Sequence, residues 1–173
     1  GKPVKSNPFY KNDNIKQAPN YVWAYGLRNP FSQKIVDGRV FVADNGLAID
    51  RFIEVGKGLN YLWDGSDRSI AANNAYTFLP SLGPVKMDYV PDNLTAFPVQ
   101  FRNKFYISLS GAIRKKSVKH PGIYMLNYDL KQRRVVETPE YFLKYVGSEQ
   151  QKVVGLAVGP DGLYFAPIFN IKG

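Results

Sequence analysis

The chain has 173 residues, of which 45% are hydrophobic and 21% are charged, which is the balance of one globular domain rather than of a disordered segment. It contains no cysteine, which excludes disulfides and thiolate chemistry, and no apolar run approaches the ~20 residues of a membrane-spanning helix. The net charge of +9 is compatible with a basic surface that attracts an anionic partner.

Short runs of β-branched and aromatic residues follow one another along the chain, separated by Gly, Pro, Asn and Asp. This pattern predicts strands, because no segment sustains the 3.6-residue period of an amphipathic helix; residues 139–151 come nearest to it. Many short strands at this spacing indicate a sandwich, a barrel or a propeller. The predicted strands are 39–44, 50–55, 85–90, 103–110, 122–129, 133–139, 152–158 and 162–168.

Two similar hairpins favour the propeller. In the segment 159–167, a Gly-Pro-Asp-Gly turn precedes an apolar strand; Pro160 presets φ and Gly162 is expected to take a positive φ. The segment 36–46 has a related turn and strand, although the separation between the two is far longer than one repeat. An unrelated all-β fold with two similar hairpins is the alternative.

Basic residues concentrate in the segments 102–122 and 131–134, close to Phe105 and Tyr106. Basic and aromatic residues together are typical of single-stranded nucleic acid binding. These aromatic residues, however, alternate as in a strand, which predicts sheet packing, and the lysines coincide with a turn, where water stabilises their charge. We therefore expect no nucleic acid partner.

An ordered set of motifs resembles the glucose/sorbosone dehydrogenase family, the soluble aldose sugar dehydrogenases that use pyrroloquinoline quinone (PQQ). The motifs are NPFY, VWAYGLRNPF, GRVFVADNG, DRFIEVGKGLNYLWDG, FPVQFRNKFYISLSG and VVGLAVGPDGLYFAP. The resemblance implies an all-β fold, a β-propeller of four-stranded antiparallel blades. Residues 1–173 would form one partial propeller domain, about three blades of a six-bladed ring. The resemblance also implies a sugar substrate, PQQ and calcium as cofactors, and a periplasmic or secreted location.

Arg28 and Asn29 lie in the segment AYGLRNPF, between Gly26 and Pro30. The resemblance assigns both residues to cofactor binding and catalysis. Hydride transfer from a sugar to a quinone places negative charge on a quinone oxygen, and a fixed guanidinium next to that oxygen stabilises the charge. The alternative is that Arg28 bonds backbone carbonyls of a neighbouring blade and contacts no ligand.

The resemblance also implies that backbone carbonyls of Gly46 and Leu47 bind calcium, which prefers oxygen ligands. Asp44, Asn45 and Asp50 add oxygen atoms to the same region. A hairpin turn without metal is an equal alternative.

The chain departs from the family pattern near this turn. Arg51 stands where the family usually has an acid, and Leu47 stands where it usually has proline. Leu62 and Asp64 replace a glycine and a proline, and because leucine disfavours positive φ, we expect the backbone at Leu62 to avoid that conformation.

Two further basic residues, Arg114 and Lys152, match positions at which the family holds the carboxylates of the quinone, and we expect them to bind the cofactor. Solvated loop residues are the alternative. The family's catalytic base is a histidine upstream of the Arg-Asn-Pro turn; the chain's single histidine, His120, lies in a lysine-rich turn and is expected to be an exposed loop residue.

Two functions follow from the sequence. In the first, the chain is the C-terminal half of a PQQ- and calcium-dependent sugar dehydrogenase-like propeller and is inactive as this fragment. In the second, it is a non-catalytic binding or scaffold module. Half of a propeller ring would expose apolar blade faces, so a homo-oligomer that completes the ring is also expected.

Overall fold

The computed structural model describes residues 1–111, 121–146 and 152–168, and these residues form an all-β, antiparallel fold. Helical structure is limited to α1, Asp67–Ile70, and to 3-10 turns at Ala18–Tyr21 and Val99–Phe101; none of the helices found there could cross a membrane. The strands are β1 Pro30–Val36, β2 Arg39–Asp44, β3 Asp50–Val55, β4 Tyr76–Phe78, β5 Pro84–Val90, β6 Lys104–Leu109, β7 Gly122–Asp129, β8 Arg134–Val135, β9 Glu140–Lys144, β10 Lys152–Val158 and β11 Leu163–Ile168.

The strands form three sheets. Sheet 1 has the order β1-β2-β3-β4, and sheet 2 has the order β5-β6-β7, with β8 and β9 both pairing with β7. The strands β10 and β11 form a separate two-stranded hairpin. The expectation of four-stranded antiparallel blades therefore holds for sheet 1, whereas the outer strand of sheet 2 is split in two and the third sheet has two strands among the described residues.

The two predicted hairpins are present. Asp37 and Gly38 connect β1 to β2 with φ values of 49° and 72°, as a two-residue hairpin turn requires. The Gly-Pro-Asp-Gly turn connects β10 to β11, and the Gly159 amide donates to the Gly162 carbonyl over 2.9 Å. The expectation for Gly162 was wrong, because its φ lies outside the left-handed region. The flexibility of this glycine is therefore not what closes the turn.

The sheets pack against one another through apolar cores. β1 contacts β5, and β5 contacts β10, so the first strands of successive sheets lie side by side, as in neighbouring propeller blades. Between sheets 1 and 2, the ring of Phe105 lies 4.7 Å from that of Phe41 and 5.0 Å from that of Phe52, measured between centroids. A second core, which includes Tyr106 and Leu156, joins sheet 2 to the β10–β11 hairpin.

The opposite face of sheet 1 is covered by the loop that leads into β1. Ala24 and Leu27 of this loop pack against Val42, Ile53 and neighbouring residues. Because the next residue along the chain is Arg28, this packing brings the Arg-Asn-Pro turn to the end of the sheet at which β2 finishes and β3 begins.

Candidate functional site

A cavity of about 360 Å³ lies where β2 and β6 end and β5 begins. It contains four of the six residues that the sequence assigned to the site, namely Arg28, Asn29, Gly46 and Leu47. Its volume is at the lower end of the ~300–1,000 Å³ that is usual for small-molecule sites. The remaining lining residues are Phe31, Asn45, Asp50, Ser81, Gly83, Val85, Ser110 and Gly111.

The Arg-Asn-Pro turn is held by the carboxylate of Asp44, which is fully buried at the end of β2. One carboxylate oxygen accepts the amide of Asn29 over 2.6 Å, and the other accepts the amide of Arg28 over 3.2 Å. The amide of Asn45 donates back to the carbonyl of Asn29 over 3.0 Å. These bonds fix the backbone from which both predicted site side chains extend.

Only part of the Arg28 guanidinium forms hydrogen bonds with the described residues. Its Nη1 donates to the carbonyl of Asn45 over 2.7 Å; Asn45 follows β2 of sheet 1, so this carbonyl does not belong to a neighbouring sheet as the alternative expected. Within residues 1–111, 121–146 and 152–168, no group accepts a hydrogen bond from its Nε or Nη2. A half-buried cation with free donors on a cavity wall can bind an anionic oxygen.

Asp50 joins two walls of the cavity. One of its carboxylate oxygens accepts the amide of Gly46 over 2.9 Å, and the other accepts the amides of Leu82 and Gly83 over 2.6 and 2.9 Å. Burial raises the pKa of this carboxyl, while the three amides and the charge of Arg28 act in the opposite direction. Both oxygens already have donors, so this carboxylate contributes to the architecture of the cavity.

Arg51 is the residue near the cavity whose structural role the sequence did not indicate. It is fully buried, and its Nε donates to Asp44 over 2.9 Å. Its remaining donors reach the carbonyls of Gly26, Tyr61 and Ala72. The register places Arg51 directly opposite Asp44 on neighbouring strands; opposite charges at the two ends of the 44–51 hairpin were the available signal.

The turn assigned to calcium contributes neutral backbone oxygens; the nearby carboxylate of Asp67 accepts the amides of Leu47 and Ala48 over 3.3 and 3.4 Å but does not line the cavity. The carbonyl of Leu47 accepts the hydroxyl of Ser81 over 3.1 Å, and the buried Oδ1 of Asn45 has no partner in the described part of the chain. Asp44 and Asp50 are engaged as above, and the described residues contain no group of three His, Cys, Asp or Glu side chains suited to a metal. Calcium fits here only if a bound ligand supplies the negative charge.

The loop at residues 60–64 corrects one expectation. Leu62 has a φ of 59°, so the prediction that it avoids positive φ was wrong. Its amide donates to Oδ1 of Asn60 over 3.0 Å, while the amides of Tyr61 and Trp63 donate to the carbonyls of residues 25 and 26 over 2.9 and 3.0 Å. These bonds connect the loop to the segment before Arg28 and impose the conformation on Leu62.

The two basic residues expected to bind carboxylates are not part of the cavity as described. Lys152 is exposed at the first position of β10 and does not line the cavity. Arg114 and His120 lie outside the described residues.

Comparison with known proteins supports the fold. No family model and no curated protein matches the chain. Among solved structures, the chain is similar to a Thermus thermophilus protein provisionally described as an oxidoreductase (glucose dehydrogenase), with a TM-score of 0.63 and 22% identity. The match covers 94% of this chain and 44% of that protein. The chain thus spans less than half the length of that structure, and at this identity the likeness shows the fold alone.

Proposed function

We propose that the chain is the C-terminal half of a PQQ- and calcium-dependent sugar dehydrogenase-like β-propeller, about three blades of a six-bladed ring. The observation that carries the proposal is the guanidinium of Arg28, whose Nε and Nη2 donate to no described residue, on the wall of a cavity shared with Asn29, Gly46 and Leu47. The similarity of the fold to a protein described as a glucose dehydrogenase supports the same class.

The electrostatics of the cavity favour an anionic ligand. The carboxylates of Asp44 and Asp50 accept backbone amides, and Asp44 also pairs with Arg51. Both carboxylates are therefore engaged locally, and Arg28, although its charge acts to lower the pKa of Asp50, forms no ion pair with a described residue. The carboxylates and quinone oxygens of PQQ are acceptors that a guanidinium can bind two at a time.

When bound, PQQ would supply a quinone that accepts a hydride from the sugar. Arg28 would bind an oxygen of the acceptor and stabilise the negative charge that develops there. Asn29 has an exposed side chain beside it and would orient the substrate or the cofactor by hydrogen bonding. The proton of the sugar hydroxyl needs a base, and we propose that a histidine outside residues 1–173 provides it, so that this chain is inactive alone.

Calcium would be held by neutral oxygens of the chain, Oδ1 of Asn45 and the carbonyls of Gly46 and Leu47, together with oxygens of the quinone. Because Asp50, the carboxylate in the described lining of the cavity, already accepts backbone amides on both oxygens, the proposal requires calcium to bind weakly without PQQ. We also propose that Arg114 and Lys152 contact the carboxylates of the cofactor, and that the protein is periplasmic or secreted.

The test is ligand-dependent stabilisation of the complete gene product that contains these residues. PQQ with calcium at about 100 times the dissociation constant should add about 2.7 kcal/mol to the free energy of unfolding, which raises the thermal midpoint. Arg28→Ala should remove most of this shift. Arg102→Ala is the matched control, because Arg102 also donates to backbone carbonyls but lies outside the cavity; it should keep the full shift.

The second candidate function is a non-catalytic propeller-type binding or scaffold module. The observation that favours it is Arg51, which stands where the family usually has an acid and is fully engaged inside the protein. The same titration separates the two functions. An unchanged thermal midpoint of the unmutated protein with PQQ and calcium would reject the dehydrogenase and leave the scaffold.

A further inference from the structure

Arg51 is the largest of the fully buried side chains in the described part of the protein. Burial of an arginine is costly unless its charge is paired and its donors are satisfied. Here Asp44 provides the opposite charge, and three backbone carbonyls accept the remaining hydrogen bonds. A buried cation with this many polar partners fixes the relative positions of the segments that supply them.

Three of the four described partners of Arg51 connect it to the segments around the Arg-Asn-Pro turn. The carbonyl of Gly26 is two residues before Arg28, and the carbonyl of Tyr61 belongs to the loop that pairs with that segment. The carboxylate of Asp44 receives Nε of Arg51 and the amide of Arg28 on the same oxygen. Arg51 is thus connected to the Arg-Asn-Pro turn through one carboxylate and through the loop beside it.

We propose that Arg51 is a positioning residue that fixes the orientation of Arg28 and Asn29 through Asp44. The inference rests on the proposed function, because the orientation of the turn has a functional consequence only if the turn binds a ligand. The planar guanidinium bonds Asp44 and the loop carbonyls in several directions at once, which the single ammonium of lysine does not reproduce. Loss of the guanidinium would let the carboxylate rotate and would release the two amides of the turn.

The experiment measures hydrogen exchange at the amides of Arg28 and Asn29, which both donate to Asp44. Arg51→Lys should accelerate their exchange by at least about tenfold, the effect of weakening one charge-assisted hydrogen bond. The matched control is Glu54→Gln on the same strand. Glu54 is a partly buried carboxylate bound by Arg133 over 2.8 Å, at the end of β3 opposite to the cavity.

In the control, exchange at Arg28 and Asn29 should stay within about twofold of the unmutated protein, even if global stability falls as much as in Arg51→Lys. Equal acceleration in both variants, or no acceleration in Arg51→Lys, would overturn the proposal, since the role of Arg51 would then be general stability. If Arg51→Lys does not fold, Asp44→Asn is the second variant, and it should accelerate exchange at the same two amides.

A second readout separates this proposal from the proposed function. If the unmutated protein binds PQQ with calcium, Arg51→Lys should weaken that binding at least about tenfold, while Glu54→Gln should leave it unchanged. If the unmutated protein does not bind PQQ, the proposed function fails, but the exchange experiment still decides whether Arg51 positions the turn. Unchanged PQQ affinity in Arg51→Lys would show that the position of the turn does not matter for the ligand.

Discussion

Gly26 lies two residues before Arg28, at a point where the chain has a φ of 75° and almost no free space. A Cβ added there would lie 2.1 Å from Oδ1 of Asn60, and 2.8 and 2.9 Å from the backbone nitrogens of Leu62 and Tyr61. Gly38 is a natural control, because its φ is 72° and an added Cβ would meet nothing within 4 Å. An alanine would therefore have the same unfavourable φ at both positions, but only at position 26 would its Cβ clash with neighbouring atoms.

The cost of Gly26→Ala has two components. A left-handed alanine costs roughly 1–2 kcal/mol, and the stiffer unfolded chain returns about 0.4–1 kcal/mol, so Gly38→Ala should lose about 1 kcal/mol. At Gly26 the backbone of residues 60–63 must also move away. This movement would weaken three hydrogen bonds, Tyr25 N to Leu59 O, Tyr61 N to Tyr25 O and Trp63 N to Gly26 O, each worth about 1 kcal/mol. The total is about 4 kcal/mol.

Urea unfolding of the two variants and the unmutated protein tests this calculation. The free energy of unfolding should fall by about 3–4 kcal/mol in Gly26→Ala and by about 1 kcal/mol in Gly38→Ala, with similar denaturant slopes. Equal losses in the two variants would refute the steric argument, because strain alone would then account for both. A loss in Gly26→Ala without any change in the exchange of the Arg28 amide would show that the loop moves independently of the site.

Three further predictions concern the loop, the activity and the assembly. Leu62→Gly should raise the free energy of unfolding by about 0.5–1 kcal/mol, because glycine adopts the left-handed backbone conformation of residue 62 without strain and the lost side chain is exposed. A lower urea midpoint would contradict this. Residues 1–173 with PQQ and calcium should show no sugar-dependent dye reduction, and clear turnover would show that the base lies within the chain. Phe31 and Ile35 are exposed on β1, so light scattering should detect a homo-oligomer; a folded monomer of 19.5 kDa would contradict closure of the ring by a second copy.

The strands that the sequence predicted are those whose residues alternate or are apolar throughout. β2, β3, β7 and β10 match the predicted ranges at both ends. The strand β1 was missed because its inward positions include polar residues: Ser32 accepts the amide of Met87, and Lys34 pairs with Asp88. Hydrophobic patterning does not reveal a strand whose buried face includes polar residues that form hydrogen bonds or ion pairs.

β9 was missed because its five residues, Glu140–Lys144, are too few to distinguish the period of a strand from that of a helix.

The grouping of the cavity residues was predictable where it depends on a local motif and not where it depends on contacts between distant segments. Arg28, Asn29, Gly46 and Leu47 were grouped by resemblance, and the cavity contains all four. The conformation of Leu62 could not be predicted from its preference, because hydrogen bonds to residues 25 and 26 outweigh a local cost of about 1–2 kcal/mol.

Among the described residues, the buried charges near the cavity hold backbone groups in place, whereas the half-buried Arg28 keeps two nitrogens without an acceptor. Asp44 and Asp50 together accept five backbone amides, and Arg51 donates to three carbonyls. Because the hydrogen bonds of these charged groups are already made to the backbone, the groups cannot reorient when a ligand enters. They make the cavity rigid and do not themselves bind the ligand. Arg28, extending from that rigid frame, has two guanidinium nitrogens that donate to none of the described residues. An anionic ligand would therefore meet a cation whose backbone is already held in position by Asp44, which lowers the ordering cost of binding.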